Sequence, residues 1–381
     1  MSKRNENCHT VLDKREKRWY NHSVATDCIA KRSELPMDKK YTIYDLAAEL
    51  GVTPSMVSRA FNPKARIAPE KREMILSEAK KHSFEPNKMA SRLSMPTVRI
   101  GVLMVYKAEH VRDSLMKGIA SAYEKARDYK VECVIKTVSA SEKSASECRE
   151  ELFAFADFDG VILEGFGNAE CVTLINEFAE VNPNIVLLQN SCEGARYLFS
   201  AKHDEALAAR LAAELLAGRL HHSRKKRVLL ITGNMRSSVH INALNAFTAE
   251  SKRLGLNVLA HIDMNDDDEL AVSLSRKYLG KHGTGVEGIY ISSGNSGRLC
   301  EYISGLKGDI TLITTDTHDG IIPYIENGTV YASICQNFAE QGSLAFDGLV
   351  RYIIENNAPE KVLYSETVPV FRANLQLYKN K

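Results

Sequence analysis

The sequence predicts a small all-α unit followed by a large α/β unit built as two doubly wound halves. Three observations carry this expectation. Residues 41–84 place apolar side chains at helical spacing, interrupted by Gly51, Pro54 and Pro69. From residue 99 onward, β-branched runs alternate with helical periods, the pattern of parallel sheets covered by helices. The charge also changes sign along the chain. Residues 1–98 hold 19 Lys+Arg against 12 Asp+Glu, whereas the remainder holds 31 against 36. A basic head on an acidic body suits a nucleic-acid-contacting module attached to one that does not touch nucleic acid.

Residues 1–36 lack sustained apolar periodicity and contain the charge-dense run Asp13 to Arg18. They are expected to be a disordered extension. Either Met37 is the true start, or these residues form a basic arm.

Three helices are expected in residues 37–84. Thr42-Ile-Tyr-Asp45 resembles a capping box, and that helix should stop at Gly51. Thr53-Pro54 should open the second as N-cap and N1, with Val57, Ala60 and Phe61 inward. Asn62-Pro63 should end it. Ala68-Pro69-Glu70 should open the third, with Met74, Ile75, Ala79 and Phe84 as its apolar face. Gly51 stands where a helix-turn-helix needs a left-handed residue, and Ala47 and Ala48 are small enough for a close crossing. The second helix then exposes Pro54, Ser55, Ser58 and Arg59. Its first residues would face base edges in a major groove, where Arg59 can fork onto a guanine or clamp a phosphate. A generic three-helix bundle with a solvated polar face is the alternative.

Residues 85–98 read as a linker and 99–381 as the α/β unit. Strands are expected at 99–105, 131–135, 160–163, 185–188, 227–231, 258–262, 288–292 and 310–314. Helices are expected at 111–129, up to about Phe155, and at 203–219, 240–254, 268–281 and 342–356. Two such series imply two subdomains with a cleft near the C-terminal strand ends, where ligands sit in open α/β folds.

The longest apolar stretches, such as Ile100 to Tyr106, are too short to span a bilayer, and no apolar signal-peptide core precedes the first helix. A cytoplasmic protein is the expectation. The eight cysteines form no CxxC pair and no zinc spacing, so they should be reduced core residues, and no metal or cofactor is expected. An α/β enzyme must be weighed, but GxSxG, P-loop and HExxH patterns are absent and Gly165-Phe-Gly167 lacks the third glycine of a dinucleotide loop. Thr315-Asp316-Thr-His318-Asp319 reads as a solvated turn rather than an acid–base or metal site. Asp266-Asp-Asp-Glu269 suits a helix start rather than a calcium loop.

Residues 41–93 resemble the headpiece of the LacI/GalR (lactose-repressor) family. The matching residues are Thr-Ile-Tyr-Asp-Leu-Ala (42–47), Gly-Val-Thr (51–53), Val-Ser-Arg (57–59), Asn62, Phe-Glu-Pro-Asn (84–87) and the hinge-like Asn87-Lys-Met-Ala-Ser-Arg-Leu93. The resemblance implies a helix-turn-helix regulator that binds operator DNA as a homodimer, with no membrane partner. It makes Pro54, Ser55 and Arg59 base-reading residues and Tyr44, Ser58 and Asn62 backbone-contacting ones. Asn87, Ala90 and Leu93 fall in the hinge helix, with Leu93 as a minor-groove wedge. Pro54 replaces a hydrogen-bonding residue often found there and would offer apolar contact alone.

The body resembles the periplasmic sugar-binding fold that this family uses to sense ligands, through Asp159-Gly-Val-Ile-Leu, Leu187-Leu-Gln-Asn190, Leu230-Ile-Thr-Gly233, Ile313-Thr-Thr-Asp316 and Ala332-Ser-Ile-Cys-Gln336. This implies a sugar-like effector in the cleft, with Asn190, Arg236, His240, Asn242, Ser293, Asn295, Asp316 and Gln336 as candidate contacts. One departure stands out. Sugar-sensing relatives carry an arginine four residues before the aromatic of the second half's first helix, and here that residue is Ala243, four before Phe247. The polar clamp on the ligand must therefore differ. A stand-alone small-molecule binding protein without DNA function is the remaining alternative.

Overall fold

A computed structural model describes residues 41–61, 65–82, 84, 96–106, 108–139, 148–166, 170–282, 285–306 and 308–379. The extension 1–36 and the candidate residues Asn62, Asn87, Ala90 and Leu93 lie outside the described residues. The chain divides into two compact units, residues 1–91 and 92–381.

In the first unit, α1 (Ile43–Glu49), α2 (Pro54–Phe61) and α3 (Pro69–Lys81) form where caps and prolines start them. Thr42 and Asp45 make the capping box: Asp45 N–H donates to Thr42 Oγ1 at 3.3 Å, and Thr42 N–H to the Asp45 carboxylate at 2.9 Å. Gly51 takes φ +63°, a left-handed turn that an L side chain resists. Met56 N–H donates to Thr53 Oγ1 at 3.2 Å, which makes Thr53 the N-cap of α2. Leu46, Ala47, Val57, Ala60, Ile75, Ala79 and Phe84 form the core. Two expectations need correcting. Ala48 is exposed, so Ala47 alone serves the crossing, and Met74 is 41% exposed. Each sits one residue, about 100° of helix, from a core neighbour and so turns outward.

The second unit holds two six-stranded sheets. The first has the order β11-β5-β4-β3-β1-β2, all parallel, from β1 (Val98–Tyr106), β2 (Val131–Ser139), β3 (Gly160–Glu164), β4 (Ile185–Leu188), β5 (Phe199–Lys202) and β11 (Val362–Tyr364). The second has the order β12-β10-β9-β8-β6-β7, from β6 (Arg227–Thr232), β7 (Asn257–Asp263), β8 (Gly288–Ile291), β9 (Thr311–Thr315), β10 (Val330–Cys335) and β12 (Val368–Val370). It is parallel except for the antiparallel edge pair β10/β12.

Both sheets are covered on both faces, which is why their strands read as apolar runs. In the first, Ile100, Val102 and Met104 pack under α4 (Glu109–Ala126) and α12 (Phe338–Glu355). Leu103 and Val105 pack under α5 (Arg149–Phe153) and α6 (Cys171–Ala179). In the second, Leu229 and Ile231 face α9 (Asp268–His282), α10 (Gly297–Ser304) and α11 (Ile322–Glu326). Val228 and Leu230 face α7 (Glu205–Arg219) and α8 (Ser238–Leu254). Cys148, Cys171, Cys192 and Cys300 are buried in these cores. Among the described residues, no helix is long and apolar enough to cross a membrane.

Several elements differ from expectation. β2 runs on to Ser139, and α5 is confined to Arg149–Phe153. α7 starts at Glu205 rather than 203 because Asp204 caps it, accepting from Leu207 N–H at 2.8 Å. α12 starts at Phe338 rather than 342, behind Asn337, whose side chain accepts from Glu340 N–H. β5, β10, β11, β12, α6, α10 and α11 are elements that the sequence reading does not anticipate.

The chain crosses between the sheets three times: from β5 into α7, from β10 into α12, and from β11 into β12. α12 is clasped to α4 by two glycines. A Cβ on Gly118 would fall inside the Ala339 carbonyl, and one on Gly342 inside the Leu115 carbonyl. A side chain there must push the two backbones apart. Gly342→Val is therefore expected to destabilise the protein by about 1–3 kcal/mol, the usual cost of overpacking, as a lowered midpoint in urea unfolding. An unchanged midpoint would show that this crossing yields freely.

Candidate functional site

The candidate site sits at the C-terminal ends of the second sheet's strands and at the crossovers beside them. Asp316 follows β9 with φ +67°, a left-handed position that Asp tolerates better than most residues. It is 5% exposed, and its Oδ1 is buried without a hydrogen-bond partner. Gln336, just past β10, donates Nε2 to Asp316 Oδ2 at 3.4 Å. Ser333 Oγ donates to the Asp316 carbonyl. Burial pushes the Asp316 carboxyl up to about 7, and the hydrogen bond from the Gln336 main-chain N–H only partly opposes this. The solvated turn expected at 315–319 is corrected in its first half: the β9 end is bracketed by β8 and β10, so Thr315 and Asp316 are buried, while Asp319 is exposed as expected.

The loop Ser293-Gly294-Asn295 after β8 joins Asp316 to a second carboxylate. Gly294 lies against Asp316; a Cβ there would stand 2.9 Å from Asp316 Oδ2. Ser293 Oγ donates to Asp266 Oδ1 at 3.3 Å, and Asn295 Nδ2 to the Asp266 carbonyl at 3.1 Å. Asn265 and Asp266 both take left-handed φ, +51° and +57°, which turns the Asp266 side chain over Gly233. His240 Nε2 stands 3.4 Å from Asp266 Oδ1, leaving a buried Nδ1 without a partner. The 266–269 run also serves as the helix start anticipated for it, since Asp267 Oδ1 accepts from Glu269 and Leu270 N–H.

Two further groups reach the cleft from its walls. His318 donates Nε2–H to the Gly294 carbonyl at 2.8 Å and accepts from Gly320 N–H at Nδ1. Its ring stacks on His110 of α4, with centroids 4.7 Å apart, so the pair bridges the two subdomains. Burial, and then the neighbouring His318, hold His110 down to about 4; burial also lowers His318. At the first crossover, Lys202 Nζ donates to Glu205 Oε1 at 2.9 Å, and Asn242 Nδ2 donates to the same oxygen at 2.8 Å. Burial opposes the Glu205 charge, but Lys202 and the Asn242 amide outweigh it and keep the carboxyl below its usual range.

The structure thus gathers His240, Ser293, Asn295, Asp316 and Gln336. Asn242 is directed to the Glu205 pair instead. Arg236 is exposed in the β6–α8 loop, and Asn190 is half-buried after β4 in the other subdomain. Sequence reasoning missed His110, Lys202 and Glu205 as parts of this region, and set Asp266 and His318 aside. Ala243 is buried against Phe247 in the core beneath α8, so no cation projects from that position.

In the first unit, α2 leaves Ser55, Ser58 and Arg59 exposed and Pro54 half-buried, while Tyr44 on α1 is 71% exposed. In the same unit, Glu49, Glu78 and His82 converge within 4.8 Å, although no metal is expected from the sequence. Lys81 and Tyr41 already engage those carboxylates, and His82 stacks on Tyr41 at 4.2 Å.

Comparison with known proteins fits the fold. Residues 100–357 match the family model described as a periplasmic binding protein domain. The chain belongs to that family. Over 188 residues, 49% of its length, it is 29% identical to catabolite control protein A of Streptococcus mutans, and the chain spans about half of that relative, 54%. Among solved structures, it resembles an ABC-transporter solute-binding protein from Burkholderia graminis in complex with D-arabinose. The identity is 16% and the TM-score 0.65, over 74% of this chain and 98% of that one. It also resembles GanP, a glucose-galactose binding protein from Geobacillus stearothermophilus, at 21% identity and TM-score 0.64, over 74% and 99%. At these identities the likeness is one of fold.

Asp316 makes stability depend on pH. Its carboxyl titrates near 7 when folded but near 3.8 in its ordinary state. Between those values the folded chain holds a proton that the unfolded chain has released, so its contribution to stability falls as pH rises from about 4 to 7 and is flat above. Asp316→Asn should remove that fall and gain about 1–4 kcal/mol over the native chain at pH 8 relative to pH 4.5. Urea unfolding at the two pH values checks this. Parallel behaviour of the two proteins would mean the carboxyl is not desolvated as described.

Proposed function

We propose that this chain is a LacI/GalR-type transcription regulator, most naturally a repressor, whose first unit reads operator DNA and whose second unit binds a small, sugar-like effector. The observation that carries this is the joining of two modules in one chain. A capped three-helix unit turned at Gly51 exposes Ser55, Ser58 and Arg59 along one helix, and a two-subdomain binding fold follows it. The charge asymmetry and the similarity to a protein named for catabolite control support the same reading.

In the proposed mechanism, two chains pair as a cytoplasmic homodimer and two headpieces read half-sites of a near-palindrome. Arg59 reads or clamps from α2, with Pro54 and Ser55 near base edges and Tyr44, Ser58 and Asn62 on the backbone. Asn87, Ala90 and Leu93 belong to a hinge segment that enters the minor groove. Ligand binds the two subdomain arrangements unequally, which alters how the paired hinges meet DNA, with a coupling of about 1–3 kcal/mol. Of the effector candidates, Asp316, Gln336, Ser293, Asn295 and His240 form the seat. Asn190 and Arg236 approach from the walls, and Asn242 acts through Glu205.

A second reading, a stand-alone sugar-binding protein, is favoured by the solved neighbours, one an ABC-transporter solute-binding protein and the other a glucose-galactose binding protein. Binding to DNA separates the two. Purified full-length protein should enrich a few near-palindromic sites from sheared genomic DNA, and affinity should fall steeply with salt as counterions are released. Arg59→Ala should lose about 1–3 kcal/mol of specific binding, some five- to 150-fold, while the oligomer stays folded. Leu93→Ala should weaken specific more than non-specific binding. Sugar binding with no site enrichment, with or without a metabolite extract, would favour the transporter-like reading.

A further inference from the structure

Among the described residues, no cation bonds to the buried carboxyl of Asp316. Its Oδ1 has no partner, and the groups that donate to the carboxyl are neutral ones of Gln336, the side-chain amide to Oδ2 at 3.4 Å and the main-chain N–H. Of the cations around the region, Lys202 is paired with Glu205 and Arg298 with Glu269, while Arg236 is exposed in the β6–α8 loop. Of the imidazoles, His318 already donates to the Gly294 carbonyl, and burial holds both His110 and His318 towards their neutral forms. A second carboxylate, Asp266, stands on the far side of the Ser293-Gly294-Asn295 loop. A neutral polyol could donate hydroxyl hydrogens to Asp316 but brings no opposite charge to it once the carboxyl ionises, and an unpaired buried charge is costly.

A metal ion fits poorly as the missing cation. Among the described residues, the one place where three His, Cys, Asp or Glu donor atoms converge is Glu49/Glu78/His82 in the first unit, not the cleft. At Asp316 the described residues bring no set of three such donors together. An ammonium asks less: one carboxylate as counter-ion and one or two further acceptors. Ser293, Asn295 and Gln336 then remain to serve hydroxyl groups.

We propose that the cleft takes a polyhydroxylated ligand bearing a protonated amine, an amino sugar or amino-polyol, with Asp316 as its counter-ion. This rests on the reading of the cleft as the effector site. It differs from that reading in predicting which member of a matched amine/hydroxyl pair binds.

The test is calorimetric titration of the full-length protein at pH 7 with four such pairs: glucosamine and glucose, galactosamine and galactose, mannosamine and mannose, glucamine and sorbitol. The tightest binder should be an amine, exceeding its hydroxyl partner about tenfold or more, as a charge-assisted hydrogen bond provides. Asp316→Asn should collapse that ratio to about threefold or less. If the variant does not fold, the ratio in the native protein decides alone. A hydroxyl partner that binds as well as or better than its amine overturns the proposal and leaves the effector-site reading standing. No heat with any of the eight overturns the proposal as well; titrating a desalted metabolite fraction then shows whether the cleft binds a small molecule at all.

Discussion

The second unit depends on one hydrogen-bonded knot where the chain passes three times between its sheets. Ser365, on the third crossing, donates its N–H to the Lys202 carbonyl on the first at 2.9 Å. Its hydroxyl donates to the Gln336 carbonyl on the second at 2.8 Å. Gln341 Nε2 reaches the same carbonyl at 2.9 Å, while the Gln336 side chain turns to Asp316. All three crossings and the buried acid thus share a few polar groups shut away from water. In such surroundings each bond is stronger than at the surface, and each missing partner is costly. The knot fixes where the two halves meet. Large changes must come from rotation about it, because the sheets on either side are packed on both faces.

That geometry explains why the acid lies where it does. A carboxylate at the end of a central strand faces the junction of the halves, where a ligand would touch both. Asp316 is held there by main-chain bonds on either side, its N–H donating to the Ile334 carbonyl at 2.9 Å and its carbonyl accepting from Ser333. The backbone adopts a left-handed conformation to do this, and so do Asn265 and Asp266 across the loop. Non-glycine residues in that region carry a conformational cost, about 1 kcal/mol or more each. The chain therefore spends stability at two neighbouring loops, both of which aim carboxylates at the same Gly294 turn. Lys130, Gln189, Lys226, Asn337 and Asn356 take the same backbone region at other turns, so what sets these two loops apart is the pair of carboxylates they bring to one turn.

Much of this was legible in the sequence because long apolar periods leave little choice. β4, the strand over Ile185–Leu188, and the helices ending at Arg219 and Leu254 fall where periodicity puts them. Thr42, Gly51, Thr53 and Pro69 mark the first unit's helices through caps and turn chemistry, which are local. The failures are equally physical. β11 and β12 have three residues each, too few for any period to show, and they exist because neighbouring strands complete them. α6 carries Cys171, Leu174, Ile175 and Phe178 at helical spacing, a pattern present but passed over. Ala48 and Met74 show the limit of reading a stripe, since an apolar residue beside a core position need not be core.

The site was half legible for a related reason. A polar residue ending a strand, as Asp316, Ser293 and Gln336 do, can be found by counting along the sequence. Asp266 sits in a run of three aspartates that caps a helix well, and its second role appears only when the loop folds over Gly233. Lys202 and Glu205 look like an ordinary i,i+3 surface pair; burial at a crossover, with Asn242 added from another helix, is invisible until both elements are placed. His110 and His318 are 208 positions apart in the chain, and only the meeting of the two subdomains stacks them. Residues that act across the cleft are the ones whose role depends on tertiary placement, so strand ends reveal where a ligand would sit sooner than they reveal its charge. The ligand charge we propose rests on the absence, among the described residues, of a cation bonded to Asp316, and Ala243, packed into the core beneath α8, places none there.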